Sequence, residues 1–224
     1  MGIKLNILTR TSKRPNFFRD CKKSIELQTY SNIRHIVCYD SNSCLDYIPK
    51  KDVFHVKKLK EPTLEIIEPP LKFAPYNLYL NTLNEKVKEG YIMYLDDDDV
   101  FDHSYSVDRI MQNITSEDNL ILWRVKFPHS LIPEDEYFGK KPELYHVSMI
   151  GFAYHHKYSK LVKFDEMSCG DYRYVTKLWD IIPNKIWINE ELTKIQRGSG
   201  WGGRGHRDDK GENDYIVFDG KEMK

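Results

Sequence analysis

Net charge is the first thing this sequence lacks: 34 lysines and arginines stand against 34 aspartates and glutamates over 224 residues. No global field draws such a chain to nucleic acid or to an anionic membrane, so a charged ligand has to be met locally. It also lacks any apolar run long enough to cross a bilayer, and Met1 to Leu8 leads straight into Thr-Arg-Thr-Ser-Lys-Arg without the apolar core of a signal peptide. The expectation is a cytoplasmic protein with no transmembrane segment, peripheral membrane contact remaining open. The four cysteines (Cys21, Cys38, Cys44 and Cys169) form no CxxC pair, and their scatter fits reduced thiols better than a disulfide framework or a zinc site. No Gly/Ser-rich or Pro-rich linker divides the chain, so one domain is expected over 1–224.

What is present centres on Tyr91-Ile92-Met93-Tyr94-Leu95-Asp96-Asp97-Asp98-Asp99-Val100-Phe101. The apolar, aromatic and β-branched part reads as a buried strand that delivers four carboxylates at its C-terminal end. Adjacent carboxylates repel one another and are costly to take out of water unless a cation or hydrogen-bond donors compensate. All-oxygen ligands suit Mg2+ or Mn2+, ions usually held by one or two carboxylates with substrate phosphates completing the shell. The residues alone leave open a solvated acidic turn or an adventitious calcium site.

Around that strand the signals alternate. Ile3 to Leu8 reads as a first strand with the polar tip Thr9 to Arg14, and Pro15 opens a helix whose apolar side is Phe17, Phe18, Cys21, Ile25 and Leu27. Ile33 to Tyr39 is a second strand tipped by Asp40, Val53 to Val56 a short third, and the proline-rich stretch 61–75 a surface loop. Tyr76 to Lys88 fits an amphipathic helix ended by Gly90. Later come a helix at 104–113, a strand at 119–127, one or two strands within 145–154, a helix from Gly170 to Trp179 and a last short strand, Lys185 to Asn189. Alternating strands and helices imply an α/β fold with a mainly parallel central sheet flanked by helices, and in such sheets ligands sit beyond the carboxyl ends of the strands. Thr9 to Arg14, Asp40 and Asp96 to Asp99 then share one edge.

Five features in this order carry a resemblance: the Thr-Arg-Thr-Ser-Lys-Arg-Pro entry with its helix ending Gln28-Thr29-Tyr30, Asp40 after strand two, Asn81 to Gly90 before the acidic strand, Asp96-x-Asp98 as a DxD motif, and Cys169-Gly170-Asp171. Together they resemble the GT-A glycosyltransferases of family 2, up to about Asp180. The resemblance implies a mixed, Rossmann-like GT-A sheet, with a nucleotide-binding half at 1–103, an acceptor half at 104–190 and a Gly-rich loop and tail at 191–224. It implies a nucleoside-diphosphate sugar donor, UDP-sugars first among them, a divalent metal, and inverting transfer to a hydroxyl of a glycan or other acceptor. Thr9, Arg10, Thr11, Arg14, Asp40, Asn81, Asp96 and Asp97 then line the donor pocket, Asp40 taking a hydrogen bond from the base. Asp96, Asp98 and Asp99 become the metal-ligand candidates. Asp171 matches the catalytic base, the group that takes the acceptor's proton, although an acid in a helix's first turn also serves as an ordinary cap. The QxxRW motif of processive members is missing, which argues against polymer synthesis.

Further candidates are weaker. His146, Tyr154, His155 and Trp201 are read as acceptor contacts, with His156, Trp123, Tyr145 and Phe152 nearby, although aromatics are also ordinary core fillers. The Gly-rich stretch from Arg197 to Arg207 reads as a lid over a diphosphate, with His206 as an outside metal candidate. Two rival readings remain: a nucleotidyltransferase, which would normally carry a glycine-rich phosphate loop where Thr9 to Arg14 has none, and a nucleic-acid-binding module resting on that one Arg/Gly stretch.

Overall fold

A computed structural model describes residues 2–39, 42–50 and 74–196. Asp40, the strand expected at 53–56 and everything from 197 onward lie outside the described residues. Eight strands form one sheet, β1 Leu5–Thr11, β2 Ile33–Tyr39, β3 Tyr91–Tyr94, β4 Asp99–Phe101, β5 Asn119–Lys126, β6 Leu131–Ile132, β7 Phe152–His155 and β8 Asn184–Ile195. They lie in the order β2-β1-β3-β7-β5-β8-β4, with β6 on β5. Four helices flank them: α1 Pro15–Glu26, α2 Leu78–Lys86, α3 Ser106–Gln112 and α4 Gly170–Ile181.

The sheet is mixed. β1 pairs parallel with β2 and β3, and β5 pairs parallel with β8. β7 enters antiparallel between β3 and β5, so those two strands run the same way. The carboxyl ends of β1, β2, β3, β5 and β8 therefore share one edge, and β4 begins there, antiparallel to β8.

Both faces of the sheet are covered, which is why its central strands are apolar throughout rather than alternating. On one side Leu5, Ile7, Tyr91 and Met93 pack with Cys21 and Ile25 of α1 and Val107, Ile110 and Met111 of α3. On the other, Leu8, Ile36, Ile92 and Tyr94 pack with Leu80 and Leu83 of α2 and Tyr174, Val175 and Leu178 of α4. The period of two along β3 divides its side chains between the two layers. Asn6, buried near the start of β1, donates its amide to the carbonyls of Glu89 (2.8 Å) and Tyr91 (3.0 Å).

Two expectations are corrected. β1 continues through Thr9 to Thr11, because parallel pairing with β2 carries it past its apolar part. β8 runs to Ile195 rather than stopping at Asn189: register shifts beside Trp123 and Arg124 carry it through Asn189-Glu190-Glu191, and pairing with β4 holds its end. Within 145–154 only Phe152–His155 is a strand, preceded by a 3-10 turn at Met149–Gly151. No described helix is long and apolar enough to cross a membrane.

Gly90 launches β3 at φ +77°, and a Cβ there would lie 2.2 Å from the Lys4 carbonyl oxygen, the acceptor of the Tyr91 amide. Gly90→Ala meets both a left-handed backbone and a rigid obstacle, so it should destabilise the fold by at least about 2 kcal/mol. Urea unfolding measures this; an unchanged midpoint would show that the β1–β3 junction is not built this way.

Candidate active site

The acid quartet sits where β3 ends. The chain turns back at once, the Asp99 amide donating to the Asp96 carbonyl (3.0 Å), and departs as β4. Parallel pairing of Leu8 with Tyr94 places Arg10, two residues on, opposite Asp96. Its guanidinium grips that carboxylate at both ends, Nε to Oδ1 at 3.0 Å and Nη2 to Oδ2 at 3.3 Å. Arg14, just before the Pro15 start of α1, sets one nitrogen, Nη1, 2.8 Å from both Asp97 Oδ1 and Asp98 Oδ2. Thr11 adds a bond from its hydroxyl to Asp97 Oδ2 (2.6 Å).

Among the described residues two arginines pair with these four carboxylates, so two negative charges remain there if all ionise. Burial pushes the carboxyls of Asp97, Asp98 and Asp99 upward; Arg14 opposes the rise, and the neighbouring aspartates add to it. Burial also works against the charge on Arg14, but Asp97 and Asp98 outweigh it and keep the guanidinium protonated. The Asp99 Oδ1 is buried and has no hydrogen-bond partner among the described residues.

These observations fit a divalent cation, since the deficit is two positive charges and an acceptor is left over. Among the described residues no three histidines, cysteines or acids converge as a ready ligand set. An ion at this strand end would be held by one or two carboxylates and completed by phosphate oxygens. Asp96 and Asp98 are the outward members, their side chains 24% and 12% exposed against 4% for Asp97.

Asp171 lies in the first turn of α4, one residue beyond Gly170, after Cys169 in the left-handed conformation (φ 56°). Its Oδ1 accepts the Tyr172 amide (2.8 Å). Burial raises its carboxyl above the ordinary aspartate range, and the negative charge of Asp96 adds to the rise, so the two acids feel one another across the same strand edge. The approach to Asp171 is braced by Arg173, which pairs with both oxygens of Asp165.

Several sequence-based candidates are engaged elsewhere. Thr9 is fully buried and bonds to the Leu95 carbonyl (2.7 Å) and His35 (2.9 Å), joining strands rather than lining a pocket. Asn81 has both ends of its amide on Phe164, at 2.9 Å each, and so tethers α2 to the segment leading to Asp171. Tyr154 is fully buried in a closed ring with Tyr94, Tyr174 and Asn84, with oxygen separations of 2.7 Å to Tyr94 and 2.6 Å to Tyr174. Trp123 and Phe152 are core residues too. His155 pairs with Tyr91 at the start of β3, the end opposite the acids, and its neighbour His156 shares that end. His146 stacks on Tyr137 in the segment that precedes β7. Trp201 and His206 lie outside the described residues, as does the proposed lid.

Two residues that the sequence did not single out join the site. Tyr76 sits over the Arg10 guanidinium (4.9 Å), and Asn77 accepts from Arg10 Nη1 (3.2 Å). The Pro75-Tyr76-Asn77 turn into α2 was their only local signal.

No protein-family model matches the chain, and neither does any curated protein. Solved structures do match. TarS of S. aureus superposes with a TM-score of 0.67 at 11% identity, over 88% of this chain and 37% of that one. Its 1–349 form in complex with UDP-GlcNAc gives 0.65 at 11%, over 88% and 60%. The mannosyltransferase PcManGT of Pyrobaculum calidifontis, in complex with GDP-Man and Mn2+, gives 0.65 at 10%, over 90% and 59%. The chain thus spans 37–60% of the lengths of these solved chains. At such identities the likeness establishes the fold, which is the GT-A glycosyltransferase fold.

Arg14→Ala leaves two buried carboxylates without their cation and should cost about 3 kcal/mol near neutral pH. Because burial raises the carboxyls of Asp97, Asp98 and Asp99, their ionisation opposes folding as pH rises, so the loss should shrink on acidification. Urea midpoints at pH 8 and pH 5 test this; equal losses at both would mean Arg14 does not compensate ionised acids.

Proposed function

We propose that the protein is an inverting glycosyltransferase that moves a sugar from a nucleoside-diphosphate donor to an acceptor hydroxyl, with Mn2+ or Mg2+ bound at Asp96 and Asp98. One observation carries this reading: an acid cluster short of two positive charges and a desolvated carboxylate, Asp171, stand at the same edge of a GT-A sheet. UDP and GDP sugars are the donor classes to try first, since the fold's solved examples hold UDP-GlcNAc and GDP-Man.

The ion, when bound, supplies Lewis-acid stabilisation of the charge that grows on the leaving diphosphate. Arg10 and Arg14 hold the aspartates in place. Asp171 accepts the acceptor hydroxyl's proton as that oxygen attacks the anomeric carbon from the face opposite the diphosphate. The bond from anomeric carbon to phosphate oxygen breaks with its electron pair on the diphosphate, and the configuration inverts. Burial suits Asp171 to this task, because a raised pKa makes a stronger base than an exposed aspartate.

Thermal unfolding should rise with UDP-GlcNAc or GDP-mannose in the presence of Mn2+, by about 2.7 kcal/mol of stabilisation at a hundred times Kd. Asp98→Ala should lose the metal-dependent part of that shift, and a variant that kept it would remove the ion from this site. Release of free nucleoside diphosphate, rather than pyrophosphate exchange, separates the transferase from a nucleotidyltransferase. Asp171→Asn should retain the donor-induced shift and lose about two to four orders of magnitude in turnover. In the unmutated protein the rate should fall on acidification, with a midpoint above the ordinary aspartate range, since the base works only when ionised; near-normal turnover of the variant would place the base elsewhere.

A further inference from the structure

Asn77 immediately precedes α2, a position where asparagine usually caps the helix with its own side chain. Here it makes no such bond. Its amide is spent on two distant segments instead. Oδ1 accepts from Arg10 Nη1 (3.2 Å), on the strand that carries the donor side of the site. Nδ2 donates to the Met167 carbonyl (2.7 Å), four residues before Asp171. Asn77 is 4% exposed, and Gly170 packs against it so closely that a Cβ on the glycine would lie 2.5 Å from Nδ2. The same Arg10 holds Asp96 at both ends, so one chain of contacts runs from Asp96 through Arg10 and Asn77 to the backbone that presents Asp171.

We propose that Asn77 is a positioning residue that couples occupation of the donor site to the placement of Asp171, by latching the 167–171 segment to Arg10. This deepens, and rests on, the reading of Asp171 as the base. The side chain touches no reacting atom. It acts by giving Arg10 and the base-bearing backbone a shared, buried partner, so that a nucleotide which orders Arg10 and Asp96 also orders the segment.

Cys169, inside the latched segment, reports on the latch. Among the four cysteines it alone is partly exposed; Cys21, Cys38 and Cys44 are buried and serve as internal controls for general unfolding. The rate at which a maleimide labels Cys169 is measured in the full chain, with and without UDP or GDP plus Mn2+. Asn77→Asp keeps an acceptor for Arg10 but loses the donor to Met167, and Gly170→Ala presses on the same amide from the other side. Each should label about fivefold faster at Cys169, the opening expected from one lost hydrogen bond, with the three buried thiols still slow. Nucleotide should slow Cys169 labelling in the unmutated protein and lose that effect in both variants. Unchanged basal labelling in the variants overturns the latch, and nucleotide protection that survives in them overturns the coupling, since a merely structural bond would leave protection intact. If neither nucleotide shifts the melting temperature of the unmutated protein, the donor reading itself falls, and the coupling with it.

Discussion

Four carboxylates in consecutive residues, three of them buried, and two arginines placed to hold them, are the constraint on which this structure turns. Isolated buried carboxylates cost several kcal/mol each, more than any single loop contact returns. The compensation has to be built into elements that cannot drift. Arg10 is fixed by the parallel register of β1 against β3, and Arg14 by the proline-led start of α1. A one-residue slip of β1 would turn Arg10 to the other face of the sheet and leave Asp96 alone. The polar entry before α1 and the acidic turn after β3 are thus two halves of one charge arrangement, separated by more than eighty residues of sequence.

The remaining topology brings the third party to the same place. β7, antiparallel between β3 and β5, leaves β5 and β8 running with β3, so β8 delivers its end against Asp99. The ring of Asn84, Tyr94, Tyr154 and Tyr174 joins α2, β3, β7 and α4 through hydrogen bonds in which every member is satisfied, a condition a buried polar cluster has to meet. Burial keeps Tyr94 and Tyr154 protonated and able to donate. This ring locks α4, whose first turn carries Asp171, to the strand that carries the acids.

What the sequence revealed divides along the range of the contacts. The acid quartet, the strand before it and the proline-led helix are local patterns, and all were readable. Assigning aromatics and histidines to a ligand depends on facing, which a sequence does not display: Tyr154 and His155 are adjacent in one strand, yet one fills the core and the other pairs with Tyr91 at the end of β3 opposite the acids. Residue type does not distinguish a sugar-stacking ring from a packed one. Asn81 looked like a site residue from its motif, but its amide is consumed at Phe164, 83 residues away. Asn77 escaped notice for the complementary reason: its two partners are 67 and 90 residues distant, and nothing within its own turn announces them.

The raised carboxyls carry a further consequence for how stability and function relate here. A fold that needed only to be stable would match its buried acids with equal numbers of bases or replace them with apolar side chains, either of which is cheaper than leaving two charges uncompensated. This site does neither: Asp99 keeps an unpartnered oxygen, and protons must make up the deficit when nothing else does. A divalent cation carries the same charge as two such protons but adds what protons lack, open coordination positions toward incoming phosphate oxygens. Under the proposed function, exchange of two protons for a divalent metal would leave the local charge unchanged while turning a destabilised cluster into one able to bind phosphate. On the proposed reading, donor binding would recover the free energy that folding forgoes at this strand end, which would account for acids with incomplete compensation at the edge where the ligand would arrive rather than in the core behind it.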